Sequence, residues 1–391
     1  MVKTESLYAN FITQRESDHT RRFLTPVTHK NAHLIDSNNQ KYINFSSNDY
    51  LGLSQHPALI QRSQEWVGQY GAGSAASRLV TGNIAPFEAI EDKIAQFKSK
   101  EAALIMVSGF QANSSILPAL FDTKALGAEP LVFSDKLNHA SMHLGCAAAG
   151  IKQIRFRHND AAHLGELLEK HKDNEAPKFI LTESVYSMDG DIAPIDEISA
   201  LSKKYDCLFI CDEAHATGVL GKSGSGIAYK ADIVIGTFSK AFGSFGAYVA
   251  CSQTIKDYLI NKCSGLIYAT ALPPSVLGSI DAALDFVATM DEERNQLQNT
   301  AQYFRDQITK IGFDCGASQT QIVPLIIGSS DEALKLAAQL KNAGFWATAI
   351  RPPTVPKGSA RIRFAFSAAH TQEDVQNLLE SLSNFQIKKA A

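Results

Sequence analysis

Residues 232–249 read DIVIGTFSKAFGSFGAYV, an apolar run ending in one lysine, Lys240, followed by small residues and glycines. An amine at the end of a buried strand becomes a nucleophile toward carbonyls when burial or neighbouring positive charge lowers its pKa. The small neighbours leave room for a bulky group on it. A solvent-exposed loop lysine is the alternative. CLFICDEAH places Asp212 directly after another apolar run, where a carboxylate is costly unless something cationic meets it. The protonated ring nitrogen of pyridoxal phosphate would serve, because that cofactor needs an acid at its nitrogen to act as an electron sink. His215, three residues on, could then reach the phenolic oxygen. Taken alone, DxxH also fits a metal site or a satisfied core pair, but no third and fourth ligand at matching spacing supports a metal.

A phosphate needs donors. SGFQAN puts Gly109 where a backbone can approach closely and opens a helix whose first N–H groups would face an anion, although a serine-glycine-aromatic run also fits a simple turn. Thr237 and Ser239 add hydroxyls just before the lysine. His139, in SDKLNHASMH, could stack on a pyridine ring or lie at the surface. RPPTVPKGSARIRFAFSAAH supplies Arg351, Arg361 and Arg363. An arginine on a strand facing a cleft grips a carboxylate bidentately, and a structural ion pair is the alternative for each of the three.

These residues share one kind of location. Most of the runs ALIMVS (103–108), PLVFSD (130–135), KQIRFRH (152–158), KFILTESV (178–185), CLFICDEA (207–214), DIVIGTFS (232–239) and AYVACS (247–252) are nearly continuous in apolar residues rather than alternating. Helix-like stretches such as 86–99 and 194–205 separate several of them. That pattern predicts an α/β fold with a mostly parallel seven-stranded sheet covered on both faces, whose ligands sit beyond the carboxyl ends of the strands. QIVPLIIG, DEALKLAAQLKNAG, FWATAI, ARIRFAFS and a final helix near 371–384 predict a smaller α+β domain. The expected division is an N-terminal arm over 1–45, a large domain over 46–287 and a small C-terminal domain over 288–391.

The chain of 391 residues, with 45% hydrophobic and 20% charged residues and a formal net charge of -3, has the make-up of a globular protein whose partner is small, with neither nucleic acid nor membrane as the main one. Six cysteines without a CxxC pair predict unpaired thiols in a reducing cytoplasm and no metal site.

Together with the motifs above, the stretches NFSSNDYLGLSQHP (44–57), SRLVTGN (77–83), ESVYSMDGDIAP, IYATALPP (267–274) and RPPTVPKGSARIRFAFSAAH give nearly the whole chain a pattern that resembles the α-oxoamine synthases. These form a branch of the aspartate-aminotransferase-like (fold type I) pyridoxal 5'-phosphate enzymes. The resemblance implies that Lys240 carries the cofactor, Asp212 pairs with its ring nitrogen, His215 bonds the phenolic oxygen and His139 stacks on the ring. It implies that Ser187 and Thr237 line the cofactor and that Gly109, Phe110 and Ser239 surround its phosphate. Thr270 of the partner subunit would reach that phosphate, so the active unit implied is a homodimer. Asn48 and Arg363 would hold the amino acid carboxylate. The AIRPPTVP context is most similar to the branch that joins L-alanine to a pimeloyl thioester of coenzyme A or acyl carrier protein, with Arg21 at the far carboxylate of the acyl chain. Sister enzymes join glycine or serine to other acyl thioesters.

Overall fold

The computed structural model describes residues 2–385. The chain forms two compact units, one comprising Leu51–Ser187 and Asp191–Asn295, the other Met1–Tyr50, Met188–Gly190 and Gln296–Ala391.

The larger unit is built on a seven-stranded sheet in the order Ala102–Met106, Ala247–Cys251, Ile233–Thr237, Cys207–Asp212, Lys178–Glu183, Leu131–Asp135, Ile154–Phe156. Ala247–Cys251 is antiparallel to both of its neighbours, and the other pairings are parallel. Every residue of Ala102–Met106, Ile233–Thr237 and Ala247–Cys251 is buried, which is why these strands read as unbroken apolar runs rather than alternating ones. Helices Gly109–Leu120, Ala140–Ala148, Ile195–Lys204 and Pro274–Val287 follow in the chain. Apolar residues of the first two, among them Ile116, Leu117, Met142 and Cys146, share a core with Leu181, Ile210 and Val249 of the sheet. Each parallel strand runs into its loop at the same edge of the sheet, so Asp135, Glu183, Asp212 and Thr237 end four neighbouring strands there.

The smaller unit contains two sheets, one of four strands (Val27–Lys30, His33–Asp36, Lys41–Asn44, Phe345–Trp346) and one of three (Ile322–Gly328, Ala360–Ala365, Thr348–Ile350). The N-terminal residues therefore belong to a sheet, through the parallel pairing of Ile43 and Asn44 with Phe345 and Trp346. Phe45 packs here against Phe364, Phe366 and His370. Met188–Gly190 joins this unit through an Arg361–Asp189 ion pair of 2.5 Å and a Thr320 hydroxyl donating to the Gly190 carbonyl at 2.9 Å. Gly190 has φ +68, and a Cβ there would lie 2.0 Å from the Ile322 carbonyl oxygen, so the Asp-Gly turn admits no side chain. No described helix is long and apolar enough to cross a membrane.

Candidate active site

A cavity of about 230 Å³ opens at the carboxyl edge of the large sheet and brings together Gly109, Phe110, His139, Asp212, His215, Thr237, Ser239 and Lys240. Lys240 lies three residues beyond its strand, in a turn where Gly243 has φ +60 and comes too close to Leu53 and Ser54 to carry a side chain. Its Nζ is 2.8 Å from His215 Nε2. Asp212 ends the neighbouring strand and is buried. One carboxylate oxygen accepts from the Asn113 amide at 2.6 Å, the other from the Ala214 backbone N–H at 2.8 Å. These two hydrogen bonds fix the direction in which the buried carboxylate faces the cavity.

Asn113 extends the arrangement. Its amide also donates to Ser141 Oγ at 3.0 Å, and that hydroxyl is 2.7 Å from His139 Nδ1. His139 caps helix Ala140–Ala148, its ring accepting from the Ser141 N–H at 3.3 Å. Burial against the cavity wall lowers the His139 pKa, the Lys240 charge lowers it further, and the pull of Asp212 does not compensate. The imidazole is thus neutral near pH 7, suited to lie against an aromatic ring. Phe110 meets it edge-on with ring centroids 6.4 Å apart.

Helix Gly109–Leu120 begins at the cavity, and its Ser108 cap accepts from the Gln111 N–H at 3.2 Å. The preceding N–H groups, those of Gly109 and Phe110, point out of the helix end, the place where a phosphate is held. A Cβ at position 109 would lie 3.7 Å from Thr237 Cβ, in the space between the helix end and the Thr237 hydroxyl. Thr237 Oγ1 donates to the Gly246 carbonyl at 2.8 Å, so the proton between it and Ser239 Oγ, 2.7 Å away, comes from Ser239. Glu183, beside Asp212 in the strand register, also lines the cavity. Burial raises its pKa well above the usual carboxylate range and the charge of Asp212 adds to this, favouring the protonated form.

Not every expected residue lies here. Ser187 and Thr270 are outside the cavity lining; Thr270 is exposed and paired with Ser77 in a short bridge. Asn48, Arg363 and Arg21 belong to the smaller unit. There Arg363 donates to Asn48 Oδ1 at 3.2 Å and lies 3.4 Å from the Tyr50 hydroxyl. Arg21 pairs with Glu16, covers the Phe23 ring at 4.8 Å, and lines a cleft of about 620 Å³ with Arg22 and Arg351. Arg351 donates to the His19 carbonyl, and Arg361 takes the ion-pair role with Asp189. The cavity residues that the motifs did not single out include Asn113, Ser141 and Glu183, beside Ser108 and Ala214. Asn113 sits one helical turn beyond Gly109, a spacing that places both on one face.

The model of the family described as aminotransferase class I and II matches residues 40–382. The chain belongs to this family. Among its relatives, the 8-amino-7-oxononanoate synthase of Gluconacetobacter diazotrophicus is 49% identical over 389 residues, spanning 98% of each chain. The structure of a lysine-to-alanine variant of serine palmitoyltransferase from S. paucimobilis with a bound PLP-myriocin aldimine superposes with a TM-score of 0.90 at 26% identity, covering 97% of each chain. The crystal structure of 8-amino-7-oxononanoate synthase from Francisella tularensis gives a TM-score of 0.75 at 27% identity, covering 88% of this chain and 97% of that one. In this aminotransferase-family chain the seven-stranded sheet has the mostly parallel form expected from the apolar runs.

Proposed function

We propose that this chain joins L-alanine to a pimeloyl thioester, releasing carbon dioxide and the free thiol, to give 8-amino-7-oxononanoate for biotin biosynthesis. The observation that carries the reaction type is the single cavity in which a lysine amine, a buried aspartate and an open helix N-terminus converge. Full-length similarity near one half supports the substrate pair, whereas the serine palmitoyltransferase likeness rests on 26% identity.

The cofactor is pyridoxal 5'-phosphate, which supplies an electron sink for the pair left when an amino acid loses its Cα proton or its carboxylate. The residues fit it. The helix end at Gly109 and Phe110, with Thr237 and Ser239, would take the phosphate; Asp212 would keep a proton on the ring nitrogen; neutral His139 would lie over the ring; Ser187, outside the cavity lining, would contact the cofactor from the neighbouring hairpin. Lys240 Nζ would hold the cofactor through its carbonyl carbon and, once freed, would serve as the base for the alanine Cα proton. His215, 2.8 Å from that amine, orients it and would bond the cofactor's phenolic oxygen. The Cα then bonds to the thioester carbonyl as the C–S bond breaks, the bond to the carboxylate breaks as carbon dioxide leaves, and the Cα is reprotonated.

Arg363, steadied by Asn48, holds the alanine carboxylate, and Arg21 meets the far carboxylate of the pimeloyl chain, which would be expensive to leave unpaired. The thiol is coenzyme A or acyl carrier protein. The active unit is a homodimer in which Thr270 of the partner subunit reaches the phosphate; exposed apolar Leu79, Val80 and Tyr268, each within three residues of the Ser77–Thr270 bridge, support this. The free cysteines, five of them buried, support work in the reducing cytoplasm. Glycine, L-alanine and L-serine assayed against acetyl, succinyl, pimeloyl and palmitoyl thioesters, reading thiol release, test the assignment. Alanine with pimeloyl thioester should dominate by at least tenfold, and preference for any other pair overturns it.

A further inference from the structure

Behind the cavity lies a cluster that the proposed reaction does not use. His158 Nδ1 is 3.0 Å from Asp135 Oδ1 and its Nε2 is 2.7 Å from Asp191 Oδ2, so the ring bridges two carboxylates. Both side-chain nitrogens must donate, which requires the imidazolium. Asp135 is the last residue of its strand, and its carboxylate also accepts from the Leu137 N–H at 2.8 Å and the Asn159 N–H at 2.9 Å. It therefore sets the course of the turn 136–139 that delivers His139. On the other side, Asp191 accepts from the Asn159 amide at 2.7 Å, and its carbonyl accepts from the Tyr186 N–H at 3.2 Å, closing the hairpin that carries Ser187. The Tyr186 ring stands perpendicular to His158 at 4.3 Å, and its hydroxyl bonds Thr182 at 2.7 Å. The neighbouring charges Arg157 and Asp160 satisfy each other at 2.7 Å. The groups facing the ring are thus two carboxylates and one phenol.

We propose that His158 is a positioning residue of the active site, a charged clamp between Asp135 and Asp191 that fixes the turn bearing His139 and the hairpin bearing Ser187. Burial alone would lower its pKa, but the two carboxylates raise it from 6.5 to about 9. A raised histidine pKa means that the ring stays charged in the folded chain at pH 7.5, and that the stability the clamp adds is fully present below pH 6.5 and is lost as pH rises through about 9. The value of the clamp to the site rests on the proposed roles of His139 and Ser187; its existence does not.

Full-length chain labelled with 15N-histidine, free of cofactor, tests the clamp itself. The His158 ring should show two N–H protons at pH 7.5 and lose one with a midpoint near 9. A neutral ring at pH 7.5 overturns the proposal. His158→Gln should then raise amide hydrogen exchange over residues 136–141 and 186–191 at least tenfold at pH 7.5, with strand 247–251 unchanged. Should that variant fail to fold, Asp191→Asn, which keeps the shape and removes one carboxylate, is read in the same way. Exchange within twofold of wild type in both loops, or a rise spread over the whole unit, contradicts a local positioning role. In the cofactor-loaded enzyme His158→Gln should lower kcat about tenfold with little change in the alanine KM; a loss in KM alone speaks against it. A persistent imidazolium in a chain that fails to join alanine to pimeloyl thioester would sink the reaction and leave the clamp standing.

Discussion

Removing the buried lysine next to the active-site turn, Lys98→Met, should destabilise the larger unit by about 3–5 kcal/mol, the cost of leaving a buried charge without its partner. Lys98 and Glu213 form an ion pair whose side chains are only 2% and 1% exposed. Glu213 immediately follows Asp212, and its other carboxylate oxygen accepts from the backbone N–H groups of Ile227 and Ala228 at 2.6 and 2.7 Å. Lys98 also donates to the Ser225 carbonyl. The attraction of Glu213 raises the Lys98 pKa in spite of complete burial. Methionine fills much of the lysine volume, so the loss is electrostatic rather than a cavity. Pairing Lys98→Met with Glu213→Gln removes both charges and keeps an acceptor for Ile227 and Ala228, and should recover at least half of the loss. The chain has two tryptophans, Trp66 and Trp346, in different units. In a Trp346→Phe background, denaturant unfolding followed by Trp66 fluorescence reports the larger unit. A loss below about 1 kcal/mol for Lys98→Met, or a double variant no more stable than the single one, would refute this account of how the turn beneath Asp212 is held.

Three further outcomes are expected. His370, stacked on Phe45 at 4.2 Å, accepts from the Ser367 N–H through Nδ1 and donates to the Asn44 carbonyl through Nε2. This arrangement needs the neutral ring, and burial lowers its pKa to about 4, so the smaller unit should lose up to about 3 kcal/mol as pH falls from 6.5 toward 4; His370→Phe should flatten that slope, and an unchanged slope would count against it. Asp212→Asn should retain cofactor, seen by its visible absorbance, yet slow Cα-proton exchange of alanine at least a hundredfold, whereas a loss within twofold would exclude the proposed role. Arg21→Ala should lower kcat/KM for the pimeloyl thioester by about 1.5–3 kcal/mol, the worth of a charged hydrogen bond, while leaving uncharged acyl thioesters of equal length unaffected; equal losses would make Arg21 structural.

The large sheet was legible because most of its strands are buried on both faces and so read as nearly unbroken apolar runs, and each of the seven runs became a strand of it, the polar KQIRFRH giving the short, partly exposed edge strand Ile154–Phe156. Asp212 and Thr237 stood out as polar residues directly at the ends of such runs, with His215 and Lys240 just beyond. The network of Asn113, Ser141 and His139 was not legible, because it arises only when helices Gly109–Leu120 and Ala140–Ala148 pack together; chain spacing does not encode that contact. Glu183 was hidden for a related reason. Only the strand register sets it beside Asp212. Residues 1–45 read as an arm because their strands are four residues long and Val27–Lys30 is largely exposed, so the pairing of 43–44 with 345–346 leaves almost no local trace.

The central claim, a decarboxylating condensation of alanine with a pimeloyl thioester, is tested most directly by the fate of the alanine carbons. Alanine labelled with 13C at the carboxylate and, separately, at C2 and C3 is turned over with pimeloyl thioester, and carbon dioxide, thiol and the amino ketone are quantified together. The account predicts equal amounts of all three, with the carboxylate label wholly in carbon dioxide and C2 and C3 wholly in the ketone. Thiol release without labelled carbon dioxide, or a product that retains the carboxylate carbon, would contradict it.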